Sequence, residues 1–139
     1  MSKVIMGKLQ YEVDFYDLSV MDAMDAAEEA VTQASKHREG EKSGAYLRRV
    51  CETIFAEMDR VVGEGASAEA FGPAVHWNAV LDAWWNLKNA YYQSMREVSA
   101  QMKERNAVLT KELQTAAGKP SLEESSAPEP AKRLPVRIS

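Results

Sequence analysis

From Ala74 to Ala116 the chain contains neither glycine nor proline, and this unbroken stretch limits what the rest of the sequence can build. As one helix its 43 residues would extend roughly 65 Å at about 1.5 Å per residue. That is longer than a domain of this size is wide. Part of the segment must therefore project, break or lie on another chain. Its apolar landmarks are Trp84, Trp85, Leu87, Tyr91, Tyr92, Met95, Val98, Met102, Leu109 and Leu113. Up to Met95 the run is aromatic. From Arg96 onward it is charged, with a thin apolar stripe like that of a coiled-coil arm. Leu81, Trp84, Lys88, Tyr91, Met95, Val98, Met102, Arg105 and Leu109 fall on alternating three and four residue steps, interrupted by Lys88 and Arg105. The pattern predicts self-association without giving its stoichiometry.

The preceding residues read as a small body. Leu9, Tyr11, Val13 and Phe15 alternate with Gln10, Glu12 and Asp14 at the period of a half-buried strand, and Gly7-Lys8 supplies a turn back to Val4 and Met6. Residues 3–15 are thus expected to form a hairpin that must rest on a helix or another sheet. Ser19 is the expected N-cap of a first helix, with Val20, Met24, Ala27, Val31 and Ala34 inward and Asp22, Asp25, Glu28 and Glu29 on an acidic face. That helix should end near Lys36 to Arg38. A second begins near Ser43 and draws a wide apolar stripe through Leu47, Val50, Cys51, Ile54, Phe55, Met58, Val61 and Val62. The connector that follows has Gly63 and Gly65 as a helix stop, Phe71 as an aromatic plug, and Gly72-Pro73 as the restart.

The expected fold class is mainly α: a short N-terminal β-hairpin, three helices with the last one long, and a disordered C-terminal tail. A helical domain over 1–116 precedes a tail over 117–139, where Pro, Ser, Glu and Ala leave too little apolar surface to repay ordering.

Little chemistry converges. Cys51 is the single cysteine, which excludes an internal disulfide and a thiolate metal cluster and fits a reducing compartment. His37 lies in a polar helix end and His76 in the first turn of the long helix, neither at metal-ligand or nucleophile-base spacing. Gly63-Glu64-Gly65 follows a helix rather than a strand and lacks the residues that complete a phosphate loop. No catalytic residue, cofactor or metal is expected. A net charge of −4 argues against a dedicated nucleic-acid binder, and no stretch approaches the length of a membrane span or a secretory signal core.

The aromatic set is the strongest concentration. Adjacent pairs such as Trp84-Trp85 and Tyr91-Tyr92 cannot both face one core from a helix, and Trp and Tyr are favoured at protein interfaces. Trp84, Trp85, Tyr91, Tyr92 and Met95 are therefore the candidate partner-binding residues. A helix sandwiched between two layers of its own domain is the alternative. With the β opening Ile5-Met6-Gly7-Lys8-Leu9-Gln10-Tyr11-Glu12-Val13-Asp14-Phe15, the helix ending Val61-Val62-Gly63-Glu64-Gly65 and then Ala70-Phe71-Gly72, residues 3–115 resemble the small tail assembly chaperones of long-tailed bacteriophages and prophages. The proline-rich end and the double tryptophan depart from that pattern. The resemblance implies a non-enzymatic, oligomeric protein in the cytoplasm of an infected or lysogenic bacterium. It would coat the tape-measure protein before the tail-tube protein polymerises, with a longer frameshifted form carrying a tube-binding extension. A second reading rests on the acidic face around Asp22 to Glu29: a phage-encoded regulator or inhibitor occupying a basic site on a host protein.

Overall fold

The computed structural model describes residues 1–118. Strands β1 (Ser2–Met6) and β2 (Leu9–Val13) are followed by helices α1 (Leu18–Ala34), α2 (Ser43–Val62), α3 (Ala66–Phe71) and α4 (Trp77–Gly118). The fold is mainly helical with an N-terminal hairpin and a long last helix, as expected, and α3 is a further helix inside the connector. Helix α4 takes in residues 117 and 118, the first two of the expected tail, and the rest of that tail lies outside the described residues. The chain divides into two units, Met1–Arg96 and Glu97–Ser139, with the boundary inside α4. In the first unit, residues of β1, β2 and all four helices form one buried cluster. In the second, every described residue from Ser99 to Ala116 is exposed.

The hairpin is antiparallel, with Ser2 opposite Val13, Val4 opposite Tyr11 and Met6 opposite Leu9. Directly opposed residues share a face, and here that face supplies Val4, Met6 and Val13 to the core, with Phe15 following just beyond β2. Helices hold the ribbon. Asn86 of α4 donates to the Ile5 carbonyl at 2.8 Å, satisfying a strand group that no second strand reaches. On the other side the Tyr11 hydroxyl lies 2.7 Å from Glu69 Oε1 and 3.2 Å from the Ala66 carbonyl, both in α3. Gly7 is in the left-handed region at φ +61, and a Cβ there would stand 2.3 Å from the Ala70 carbonyl oxygen. The turn therefore needs glycine both for its backbone angle and for its approach to α3.

Helix α1 begins two residues earlier than the Ser19 cap implies. Asp17 is the N-cap: its Oδ1 accepts from the Ser19 N–H at 2.9 Å and from the Ser19 hydroxyl at 2.7 Å. These bonds to the ionised form hold the Asp17 carboxyl below its ordinary range. An ionised acceptor completes the first turn better than a hydroxyl and also complements the helix dipole. The helix ends at Ala34, ahead of the expected stop, and Arg49 ties the connection that follows. Its guanidinium reaches the carbonyls of Ala34 at 2.6 Å and Lys36 at 3.3 Å and pairs with Glu41 at 2.6 Å. Bonding to Arg49 lowers the Glu41 carboxyl to about 2.

Helix α2 buries Val50, Cys51, Ile54, Met58 and Val61, as its stripe predicts. It also buries Glu57, whose Oε2 accepts from Arg60 at 2.6 Å while the buried Oε1 has no hydrogen-bond partner. Gly63, at φ 147, closes the helix. Gly65 then opens α3 from the left-handed region at φ 85, and Asp59 of α2 accepts the Ser67 N–H at 2.9 Å. Phe71 is half-buried with its ring centroid 5.3 Å from that of Phe55, and Gly72 caps the short helix. The connector is thus a packed element with its own buried residues, Ala66, Ser67 and Ala70. Helix α4 starts at Trp77 rather than Ala74. His76 stands just outside it, exposed, and its carbonyl accepts the Val80 N–H at 3.1 Å.

Replacing Gly40 (φ +74, no neighbour within 4 Å) by Ala is expected to cost only the left-handed strain, about 1 kcal/mol. Gly7→Ala adds displacement of the α3 carbonyl and should cost about 3 kcal/mol. Urea unfolding of both variants checks this; equal losses would show that the approach to Ala70 is unimportant.

Candidate functional site

Over one stretch of α4, residues seven apart in sequence share a face. Val80, Ala83, Trp84, Leu87 and Tyr91 lie in the core, and Trp84 and Tyr91 are each only 5% exposed. One position further on, Trp85 is 50% exposed and Tyr92 39%. Met95 is partly buried against the core. The five candidate residues therefore separate. Trp84 and Tyr91 are structural and inaccessible to a partner, Met95 is half-covered, and Trp85 and Tyr92 form the outward face.

Lys88 lies between them, one turn from each. Its ammonium sits 4.8 Å from the Trp85 ring centroid and 5.9 Å from that of Trp84, within the range at which an aromatic face attracts a cation. The residue that breaks the heptad pattern in sequence thus bridges the buried and exposed tryptophans. A lysine three residues beyond a Trp-Trp pair is the signal that could have suggested this. The resulting strip, Trp85, Lys88 and Tyr92, offers apolar area, one positive charge and few rotors to immobilise, which suits an apolar side chain flanked by a carboxylate on a partner.

Behind the strip, α4 is bonded to α1 through its tyrosines. The Tyr91 hydroxyl donates to Asp25 Oδ1 at 2.8 Å, and the Tyr92 hydroxyl donates to Glu28 Oε2. The acidic face of α1 is therefore in part a row of acceptors for α4. Burial first, then the bond to Asp25, raises Tyr91 to about 12, while for Tyr92 the bond to Glu28 leads the rise to about 12. Tyr91 also meets Phe15, with ring centroids 5.5 Å apart, so the same phenol joins α1, α4 and the end of the hairpin. Sequence periodicity could not find these bonds, because they join residues more than sixty positions apart.

The remaining candidates are not drawn together into a site. His37 stacks on Tyr46 at 4.8 Å, at the connection between α1 and α2. Cys51 is buried, and desolvation pushes its thiol upward, the opposite of what a nucleophile needs. Among the described residues, no three His, Cys, Asp or Glu side chains are grouped to hold a metal ion, and no helix is long and apolar enough to cross a membrane.

Residues 7–121 match a family model described as a family of unknown function (DUF6673), and the chain belongs to that family. Neither the curated proteins nor the solved structures contain a match to it.

The raised phenols set the alkaline behaviour. Tyr91 has a folded value near 12 against an ordinary 10.0, so its contribution to stability is complete below pH 10 and is lost as pH rises toward 12. Tyr91→Phe should be about 1 kcal/mol less stable than the parent at pH 8, through the lost hydrogen bond. The gap should narrow or reverse by pH 11, because the phenylalanine has no proton to lose. Urea midpoints at the two pH values test this, and an unchanged gap would contradict it.

Proposed function

We propose that this member of the family is a non-enzymatic chaperone that binds amphipathic helical segments through the outward strip of α4, in the manner of the phage tail assembly chaperones it resembles. The carrying observation is Trp85, half-exposed beside a tryptophan that the core fully uses. An aromatic of that size costs hydration where it stands, and covering it with an apolar partner surface recovers that cost. On this reading the partner is the tape-measure protein, held soluble until the tail-tube protein polymerises, in the cytoplasm of the bacterial host. Several copies act along one long partner. Neither nucleic acid nor membrane is a target, in keeping with the net charge of −4.

The geometry favours this over an acidic regulator. Asp25 and Glu28, half of the acidic face that motivates the regulator, are already engaged by Tyr91 and Tyr92, although Asp25 stays exposed alongside Asp22 and Glu29.

Co-expression with a tape-measure protein, followed by pulldown, tests the reading directly. Trp85→Ala is expected to weaken capture about tenfold or more with the thermal midpoint nearly unchanged. Trp84→Ala, by contrast, should cost about 3 kcal/mol or more of stability by emptying the core. Capture that survives Trp85→Ala would remove the strip from the function, and capture abolished by moderate salt would favour the charge-driven regulator.

A further inference from the structure

The second unit's stretch of α4 carries an apolar face that nothing among the described residues covers. Met102, Leu109 and Leu113 are 59%, 54% and 61% exposed. With Asn106 they fall at steps of four, three and four, which is the a/d spacing of a paired helix. In this frame Arg105 does not break the seam. It lies at g, beside the seam, and Glu112 occupies the g position one heptad later. Neither is in an ion pair among the described residues.

We infer that this arm pairs antiparallel with the same arm of a second copy. When two identical helices run antiparallel, g residues meet g residues across the seam. Setting Met102 against the second copy's Leu113 and Asn106 against its Leu109 places Arg105 opposite Glu112, and the two-fold axis repeats that pair on the other side. The axis falls between Ala107 and Val108, midway along Glu97–Gly118, so the described arm is covered from end to end. A parallel arrangement would oppose Arg105 to Thr110 and leave both charges unused. Charge complementarity therefore selects a second copy, and selects its direction.

This pairing deepens the multi-copy reading above by naming its contact, and it can fail separately from it. Sedimentation equilibrium of the full chain should show a dimer. Arg105→Glu and Glu112→Arg each create two like-charge contacts and should weaken self-association about tenfold, while the double variant restores it. Circular dichroism should show the same helix content throughout, because both positions are exposed. Oxidation of a mixture of Met102→Cys and Leu113→Cys chains should give the mixed disulfide. Neither variant alone should cross-link, since its two copies of the new cysteine lie about 16 Å apart along the axis. A monomer at every concentration, a double variant no tighter than the singles, or cross-linking within each variant alone would overturn the pairing. Tape-measure capture by Arg105→Glu, at a concentration where it is monomeric, tests the chaperone reading apart from it.

Discussion

A two-stranded ribbon cannot hold itself together in water, and the first unit is arranged around that need. The ribbon gives one face to the core through Val4, Met6 and Val13. Its turn approaches α3 so closely that no side chain fits at Gly7, and one of its carbonyls is taken by Asn86 of α4. The last two contacts join the N-terminus to segments more than sixty residues later. The hairpin is therefore a fastener between the connector and the last helix, and the order of α3 and the placement of α4 depend on it together.

The same economy governs the face between α1 and α4. Carboxylates at Asp25 and Glu28 could have been mere solvated charge, yet both accept phenolic hydroxyls from α4. Bonds of this kind to ionised acceptors are stronger than neutral ones, and they hold both members of the Tyr91-Tyr92 pair to α1. Once Tyr91 turns inward, the helical repeat sends Trp84 inward with it and leaves Trp85 and Tyr92 outside. Burial of Trp84 and Tyr91 on one side of the helix thus sets the composition of the surface on the other.

Elements with strong periodicity were legible in the sequence. The α2 stripe is recovered from Val50 to Val61, and the Gly7-Lys8 turn sets the hairpin register. Glycine at position 63 ends α2 where it should. What escaped are features too short or too distant for a period to register. Helix α3 has six residues, fewer than two turns, and the carboxylate that accepts its Ser67 N–H, Asp59, comes from the preceding helix. Asp17 competes with Ser19 for the cap of α1 from only two positions away, and the carboxylate prevails. For the candidate surface, adjacency required that each aromatic pair divide, but which member faced outward depended on core partners such as Phe15, far upstream.

Cys51 lies on the inward side of α2, 3% exposed, with its thiol made less acidic by its apolar surroundings. A thiol so placed reacts with a water-soluble reagent only while the helix around it is open. The chain thus carries one built-in clock for its own breathing: the labelling rate of this single thiol reports how often the centre of the body comes apart, without any added probe.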